Sequence, residues 1–280
     1  MYNIPDNFIC LIFDSPINRN AYATFVDLPA ELINEIGQYS DTKTQLSMVR
    51  TCSHAHKIVS RLLYRDIKTK NHHARRLFVT ILSNSKFSVH YPSFVVSLDY
   101  SAAIPSDAYL TFPLLSATLV ALPNLRNLSL SIPFSMTEFL VRLLTRNGII
   151  RQSSSPFKYI RPISEALYPV IPYNLSLLHS LCIDSHLSLL TIARCCPLKE
   201  LTIQEPIDFS DLDFISSCLA GQSNTAEQLR SLTITVEIET VSEIAYSLLG
   251  LAAMFPSLEV LVFRTAHINA LVRVFFFFLI

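Results

Sequence analysis

Residues of the types that perform catalysis or bind metals occur in this chain of 280 residues, but their spacing favours neither role. The six cysteines form no Cys-x-x-Cys pair, and histidines near residues 54–56 and 72–73 stand one or two positions apart. Two metal ligands on one helix face need a spacing of three or four. Asp184, Ser185 and His186 have the residue types of a hydrolytic triad, yet triads are assembled from distant segments. We therefore expect no enzyme, no catalytic residue, no metal and no cofactor.

Glycine is scarce, with only four residues, which stand at the widely separated positions 37, 148, 221 and 250. Phosphate-binding loops, dinucleotide-binding turns and nucleophile elbows all need clustered glycines. The usual nucleotide-handling scaffolds are therefore excluded. Half of the residues are hydrophobic, which predicts an extensive core.

The formal net charge is zero, because 22 basic residues balance 22 acidic ones, but the two parts of the chain differ. Residues 1–90 carry 11 basic and 7 acidic side chains, a balance of +4, which leaves −4 for residues 91–280. The basic stretch at residues 50–76 is interpreted as a solvent-exposed helix face, with nucleic-acid binding as a distant alternative. Acidic residues concentrated at 200–260 suggest a basic client, although acids at helix starts and outer faces would give the same pattern.

No apolar run is long enough for a membrane span, and residues 8–13 are too short a run for a secretory signal. We expect an intracellular protein of the cytoplasm, the nucleus or both, without membrane or nucleic-acid partners. Phe275–Phe278 followed by two more apolar residues is unusual at the end of a repeat array. Either the array is longer than this chain, or the run folds back on the last repeat.

Three short amphipathic helices are predicted near the N-terminus. Asp27 and Pro29 suit a helix start, and Tyr39-Ser40-Asp41 ends this helix and offers a cap for the next. The third helix is predicted to continue to Ile67. Apolar positions repeat along these helices at Leu28, Leu32, Ile36, Leu46, Val49 and Tyr64. So small a module buries little surface, which favours a partner.

The pattern Leu28-Pro29-x-Glu31-Leu32-x-x-x-Ile36, followed by Leu46, Val49, Cys52-Ser53 and Leu63-Tyr64-x-x-Ile67, resembles an F-box. The chain departs from that family in lacking tryptophan, with His56 and Tyr64 at positions where many members carry it. The resemblance implies docking on the Skp-type adaptor of a cullin-RING ubiquitin ligase. The residues that it implies for adaptor binding are Leu28, Pro29, Leu32, Ile36, Leu46, Val49 and Tyr64.

The pattern Leu-x-x-Leu-x-Leu occurs five times beyond the N-terminal segment, and Val95–Tyr100 is a weaker copy. The five copies begin at Leu125, Leu178, Leu198, Leu229 and Leu258. Helical stretches lie between them, two of which are predicted to stop at Gly148 and Gly221. Strands alternating with helices predict an α/β leucine-rich-repeat solenoid. The array resembles the irregular repeats that follow the F-box in fungal F-box proteins.

Together these patterns predict an α/β fold with a short three-helix F-box followed by an irregular leucine-rich-repeat solenoid. The predicted boundaries are residues 1–26 for an N-terminal extension, 27–67 for the F-box, 68–92 for a linker helix and 93–280 for the repeats, with a loop insertion near 149–174. The implied function is substrate recognition for an SCF-type ubiquitin ligase, whose repeats bind an unknown protein client. A repeat scaffold that is no part of a ligase is the alternative.

Overall fold

The computed structural model describes residues 27–83, 90–150, 175–208, 211–219, 228–237, 249–265 and 271–275. The chain divides into two compact units, Met1–Leu63 and Tyr64–Ile280. The fold is α/β with a mainly parallel sheet, as the sequence predicts at this coarse level. The predicted extension at residues 1–26 and most of the predicted insertion near 149–174 lie outside the described residues.

The first unit contains three helices: α1 (Ala30–Tyr39), α2 (Thr42–Thr51) and α3 (Ser53–Leu63). Asp41 caps α2 as predicted, because its side chain accepts a hydrogen bond from the backbone N–H of Thr44 at 2.8 Å. Hydrogen bonds from the side chain and then the backbone of Thr44 lower the pKa of the Asp41 carboxyl below its usual value. The cap predicted for Asp27 is wrong by two positions, since Pro29 occupies the N-cap of α1 and makes no side-chain cap bond.

The described part of this unit, residues 27–63, has a small core. The buried apolar side chains in that part are Ile33, Met48, Ala55 and Val59. Four further residues pack partly against them: Leu28, Val49, Cys52 and Ile58. These few groups alone offset little of the conformational entropy that the three helices lose on folding.

The second unit begins with a strand that the sequence analysis missed. The third helix was predicted to reach Ile67, but α3 ends at Leu63 and Ile67 lies in strand β1 (Asp66–Lys70). Buried and exposed residues alternate along Asp-Ile-Lys-Thr-Lys, and that period of two is typical of a strand with one face covered. The predicted linker helix at 68–92 is reduced to α4 (Asn71–Leu82), and a 3₁₀ helix follows at Tyr91–Phe94.

The remaining elements alternate strands with helices. In chain order they are β2 (Ser97–Ser101), α5 (Pro105–Ala121), β3 (Asn127–Ser131), α6 (Phe134–Arg146), β4 (Ser180–Asp184), a 3₁₀ helix (Leu187–Cys195), β5 (Glu200–Ile207), α7 (Asp211–Leu219), β6 (Ser231–Val236), β7 (Val260–Thr265) and β8 (Leu271–Phe275). The sheet order is β1 to β8, so each strand pairs with the next in sequence. β1 to β7 are parallel, and β8 is antiparallel to β7.

The five predicted leucine repeats form β3 to β7, and the weaker copy forms β2. The first leucine of each repeat is fully buried just before its strand, as with Leu125 and Leu198. The second leucines pair in register across the sheet: Leu98, Leu128, Leu181, Leu201, Leu232 and Leu261. They are at most 2% exposed. This row is the center of a continuous core that includes the apolar faces of the helices.

The sequence predicts the presence of the helices better than the residues at which they begin and end. Gly148 follows α6 with φ of 76°, the left-handed conformation that a helix-ending glycine adopts without strain. α6 starts at Phe134, directly after Pro133 in the N-cap position. The segment between β4 and β5 is a 3₁₀ helix, Leu187–Cys195, in place of a regular helix such as α5 or α6 in the preceding connections. Gly221 lies outside the described residues.

Asn71 ties the end of β1 to the start of α5. Its backbone has φ of 45°, and its Oδ1 accepts hydrogen bonds from the backbone N–H groups of Ala103 at 2.7 Å and Ile104 at 3.3 Å. Asn71→Ala is expected to destabilise the second unit by about 2–3 kcal/mol, because both bonds are lost and alanine is strained at positive φ. Asn71→Gly should cost about 1 kcal/mol less, since glycine tolerates that φ. Urea unfolding of the full chain measures both values, and equal losses in the two variants would show that the positive φ carries no cost.

Candidate functional site

Among the described residues of the first unit, two helices carry large apolar side chains that are exposed. We call this surface the exposed helix face and define it by Leu32, Ile36 and Tyr39 of α1 and Leu46 of α2. Their exposed fractions are 40%, 44%, 86% and 40%. These side chains flank the buried side of α1, where Ile33 and Gly37 face the core. Large apolar groups concentrated on two short helices are typical of a protein–protein contact.

Local bonds hold α1 and α2 in the arrangement that presents this face. The Nε2 atom of Gln45 donates hydrogen bonds to the carbonyl oxygens of Gly37 at 2.8 Å and Ser40 at 3.3 Å. These bonds satisfy carbonyls at the end of α1 and fix the residue next to Leu46. Gly37 also lets α3 approach closely, because a Cβ at this position would lie 2.8 Å from Cδ1 of Leu62. The exposed helix face therefore rests on a defined framework.

The structure brings most of the seven predicted adaptor-binding residues into this unit. Leu32, Ile36 and Leu46 belong to the exposed helix face, and Pro29 is exposed just before α1. Leu28 and Val49 pack partly against the core. Leu46 is 40% exposed, and Met48 is the buried residue of α2. A role of these residues in adaptor binding stays a prediction.

Tyr64 does not join the other six. It belongs to the second unit, where its ring lies 4.6 Å from the ring of Tyr91. Burial and the neighbouring Tyr91 raise the pKa of its hydroxyl. Conversely, Tyr39 is a member of the exposed helix face that the sequence analysis missed. Its position four residues after an exposed isoleucine was the available signal.

The second unit presents a polar sheet surface opposite its core. We call it the open face and define it by the outward residues of β2 to β6: Ser97, Asp99, Ser101, Asn127, Ser129, Ser131, Ser180, Cys182, Asp184, Glu200, Thr202, Gln204, Ser231, Thr233 and Thr235. None of them is buried, whereas the residues between them in each strand are. Every side chain is polar or a thiol, and most are small. A partner's backbone can therefore come close to this surface.

Two carboxylates and a thiol lie near one another on β2 and β4 of the open face. Asp184 accepts a hydrogen bond from Oγ of Ser131 at 2.8 Å, and Nε2 of Gln204 donates to Sγ of Cys182 at 3.3 Å. Burial raises the pKa of the Cys182 thiol, and the negative charges of Asp184 and Asp99 raise it further. Cys182 is thus a weakly acidic thiol, which does not favour a nucleophilic role.

The side chains of Asp184, Ser185 and His186 are not hydrogen-bonded to one another as in a hydrolytic triad. Asp184 is bonded to Ser131 of the neighbouring strand, and the buried Ser185 hydroxyl shares a 2.7 Å hydrogen bond with the hydroxyl of Thr137. Nδ1 of His186 accepts from the backbone N–H of Ser188. Each of the three side chains has a different neighbour, as expected for adjacent positions at a strand end.

Exposed apolar side chains lie just beyond the carboxyl ends of β2 and β3. Ile104 precedes α5 and is 47% exposed, and Phe134 begins α6 and is 73% exposed. The Phe134 ring packs edge-on against the His186 ring at a centroid distance of 4.8 Å. Ser131 at the end of β3 pairs with Asp184 at the end of β4. This aromatic pair therefore lies beside the end of the open face that carries Asp184.

The predicted charged segments are arranged differently from their sequence order. Basic residues of the 50–76 stretch are divided between the two units, with Arg50 in α2 and Lys68 and Lys70 on β1. Among the acids of 200–260, Glu200 lies on the open face. The other carboxylates of that face are Asp99 and Asp184, which lie outside the acidic segment at residues 200–260.

Within the described ranges, no three His, Cys, Asp or Glu side chains are grouped so that they could hold a metal ion. The helices described are also all too short or too polar to cross a membrane. Comparison with models of known protein families and with curated proteins finds no match to this chain.

Proposed function

We propose that this protein is a substrate-recognition adaptor of an SCF-type cullin-RING ubiquitin ligase. In this proposal the first unit is an F-box that docks on a Skp-type adaptor, and the second unit is an irregular leucine-rich-repeat solenoid that binds a protein client. The chemistry of ubiquitin transfer belongs to the ligase partners. This chain raises the effective concentration of the client near them.

The observation that carries the proposal is the exposed helix face. Leu32, Ile36 and Leu46 are three of the residues that the F-box resemblance assigns to adaptor binding, and all three are at least 40% exposed. An isolated helical unit would gain stability by turning such side chains inward. Their outward position, beside a core that is small in the described residues 27–63, favours a role in docking.

The strand repeats support the second half of the proposal. The described strands from β2 to β7 have inward leucines in register, and buried and outward residues alternate along them except in the second half of β5, where the register with β6 shifts. Sheet order equals sequence order, as in proteins built from consecutive strand–helix repeats. Such an array offers one long polar strand surface to a client.

Co-expression of the full chain with a Skp-type adaptor tests the docking step. A stable complex is expected to co-purify from cells, and Leu28→Ala combined with Pro29→Ala should weaken it at least about tenfold, since both changes alter the start of α1. A complex that fails to form with the unmodified chain would favour the alternative of a repeat scaffold outside any ligase.

A further inference from the structure

The relative placement of α1 and α2 decides the shape of the exposed helix face, because both helices contribute side chains to it. Leu32, Ile36 and Tyr39 belong to α1, and Leu46 belongs to α2. Within the described residues 27–63, both helices pack mainly on α3 and share few direct contacts with each other. Interactions other than helix packing must therefore fix α1 relative to α2.

The connection between the two helices is short, and its own side chains bond within one helix at a time. Oγ of Ser40 donates a hydrogen bond to the carbonyl oxygen of Ile36 at the end of α1, at 2.6 Å. The side chain of Asp41 accepts the backbone N–H of Thr44 at the start of α2. These bonds define where each helix ends or begins, but they do not hold one helix against the other.

The side chain of Gln45 bonds across the two helices. Its Nε2 donates from α2 to the carbonyl oxygens of Gly37 in α1, at 2.8 Å, and of Ser40 just after α1, at 3.3 Å. Gly37 is buried, so water has little access to its carbonyl in place of Gln45. The two acceptors stand on either side of Tyr39, and Gln45 directly precedes Leu46. One amide group thus connects the two parts of the exposed helix face.

The property of Gln45 that matters for this connection is its ability to donate hydrogen bonds. A glutamine amide carries two N–H donors, enough for both carbonyls. Methionine has a similar size and helix propensity but no donor. An ionised glutamate has no donor either, although the helix dipole favours a negative charge near the start of α2. Donation can therefore be separated from size and from helix stability.

We propose that Gln45 is a positioning residue for adaptor docking, which holds Ile36, Tyr39 and Leu46 in the arrangement that the adaptor binds. The reference to the adaptor rests on the proposed function. Gln45 acts through the placement of its neighbours and not through contact with the partner. Loss of its two hydrogen bonds should reduce the fraction of molecules in the binding arrangement to about a tenth.

Binding kinetics of the full chain on an immobilised Skp-type adaptor test this inference. Surface plasmon resonance should show that Gln45→Met associates at least about fivefold more slowly, because fewer molecules present the binding arrangement. Its dissociation rate should stay within about twofold of the unmodified chain, since the contacts made in the complex are the same. Leu46→Ala removes a contact and should instead speed dissociation.

Gln38→Met is the matched control. It makes the same replacement at an exposed glutamine of α1, outside the exposed helix face. Both rate constants of this variant should equal those of the unmodified chain, since surface substitutions have small effects.

A second variant separates positioning from a general effect on helix stability. Gln45→Glu keeps a residue that suits the start of α2, but its carboxylate does not donate. Association should slow as in Gln45→Met, whereas a role in helix stability alone would leave binding unchanged. Circular dichroism checks that each variant is folded under the conditions of the measurement. Should Gln45→Met unfold, Gln45→Glu decides the outcome.

The free chain gives a readout that needs no adaptor. The chain contains no tryptophan, so Tyr39→Trp places a single fluorescent probe between the two carbonyls that Gln45 binds. The anisotropy decay of this probe should show a larger amplitude of local motion when Gln45→Met is added. Addition of Gln38→Met should leave that amplitude unchanged.

The inference is wrong if Gln45→Met associates as fast as the unmodified chain, if its defect lies in dissociation, or if Gln45→Glu binds like the unmodified chain. Equal motion of the tryptophan with and without Gln45→Met would also contradict it. Failure of the unmodified chain to bind the adaptor overturns the proposed function. The positioning of the exposed helix face by Gln45 is then decided by the motion of the tryptophan alone.

Discussion

The variant carrying Leu32→Asp and Ile36→Asp is expected to lose Skp-type adaptor binding by about 100-fold or more while it keeps its fold. Both residues lie on the exposed helix face, 40% and 44% exposed, so carboxylates there remain hydrated in the free protein. In a complex the same carboxylates would be buried against apolar groups, which costs a few kcal/mol. A loss of about 2.7 kcal/mol corresponds to 100-fold in affinity.

A matched control places the same charges elsewhere in the unit. Gln38 of α1 and His54 of α3 are exposed polar residues, so Gln38→Asp with His54→Asp adds two carboxylates outside the exposed helix face. This control should bind the adaptor within about threefold of the unmodified chain, since surface substitutions have small effects. Isothermal titration calorimetry gives both affinities, and circular dichroism checks the helix content. Equal affinities for the two double variants would contradict the assignment of the binding face.

Ile33→Ala is expected to unfold the first unit. Ile33 is fully buried, and in the described residues of that unit its buried apolar neighbours are Met48, Ala55 and Val59. Truncating a buried isoleucine costs about 2–5 kcal/mol, which is comparable to the whole stability of so small a unit. Hydrogen exchange measured by mass spectrometry should show loss of amide protection in α1, α2 and α3.

Leu32→Ala is the control for that loss. It truncates a side chain of similar size at the adjacent position, but that side chain is 40% exposed, so the expected cost is below about 1 kcal/mol. Amides of β3 and β4 should keep their protection in both variants, because the second unit has its own continuous core. A similar loss of protection in both variants would show that exposure does not distinguish these neighbours.

The strands were predictable where leucine marks them. In Leu125–Leu130 leucine occupies every inward position, and the same spacing of apolar residues recurs in each later copy. β1 was not predicted from the sequence, because its two inward positions are occupied by Ile67 and Thr69. An isolated isoleucine after a helix also fits another helical turn. Pairing with β2 makes this segment a strand, and a local sequence pattern does not reveal that pairing.

The helix surface illustrates a different limit. Leu32 and Ile33 are adjacent and similarly apolar, yet the first is exposed and the second buried. Periodicity indicates that α1 has an apolar side, but it does not divide that side between its own core and a partner. The nearness of Asp99 and Asp184 to Cys182 was equally hidden, because Asp99 is far from the other two in sequence and only the order of β2, β3 and β4 in the sheet brings it near them.

Pairing of each strand only with its sequence neighbours has a consequence for how this chain can change in evolution. Every strand from β2 to β6 has a leucine at the same inward register position, and its outward side chains are mostly small and polar. Duplication or deletion of a whole strand–helix segment therefore preserves the register of all remaining strands. In the proposed function, the number of segments would set the length of client that can bind, and the outward side chains would set the chemistry of each position.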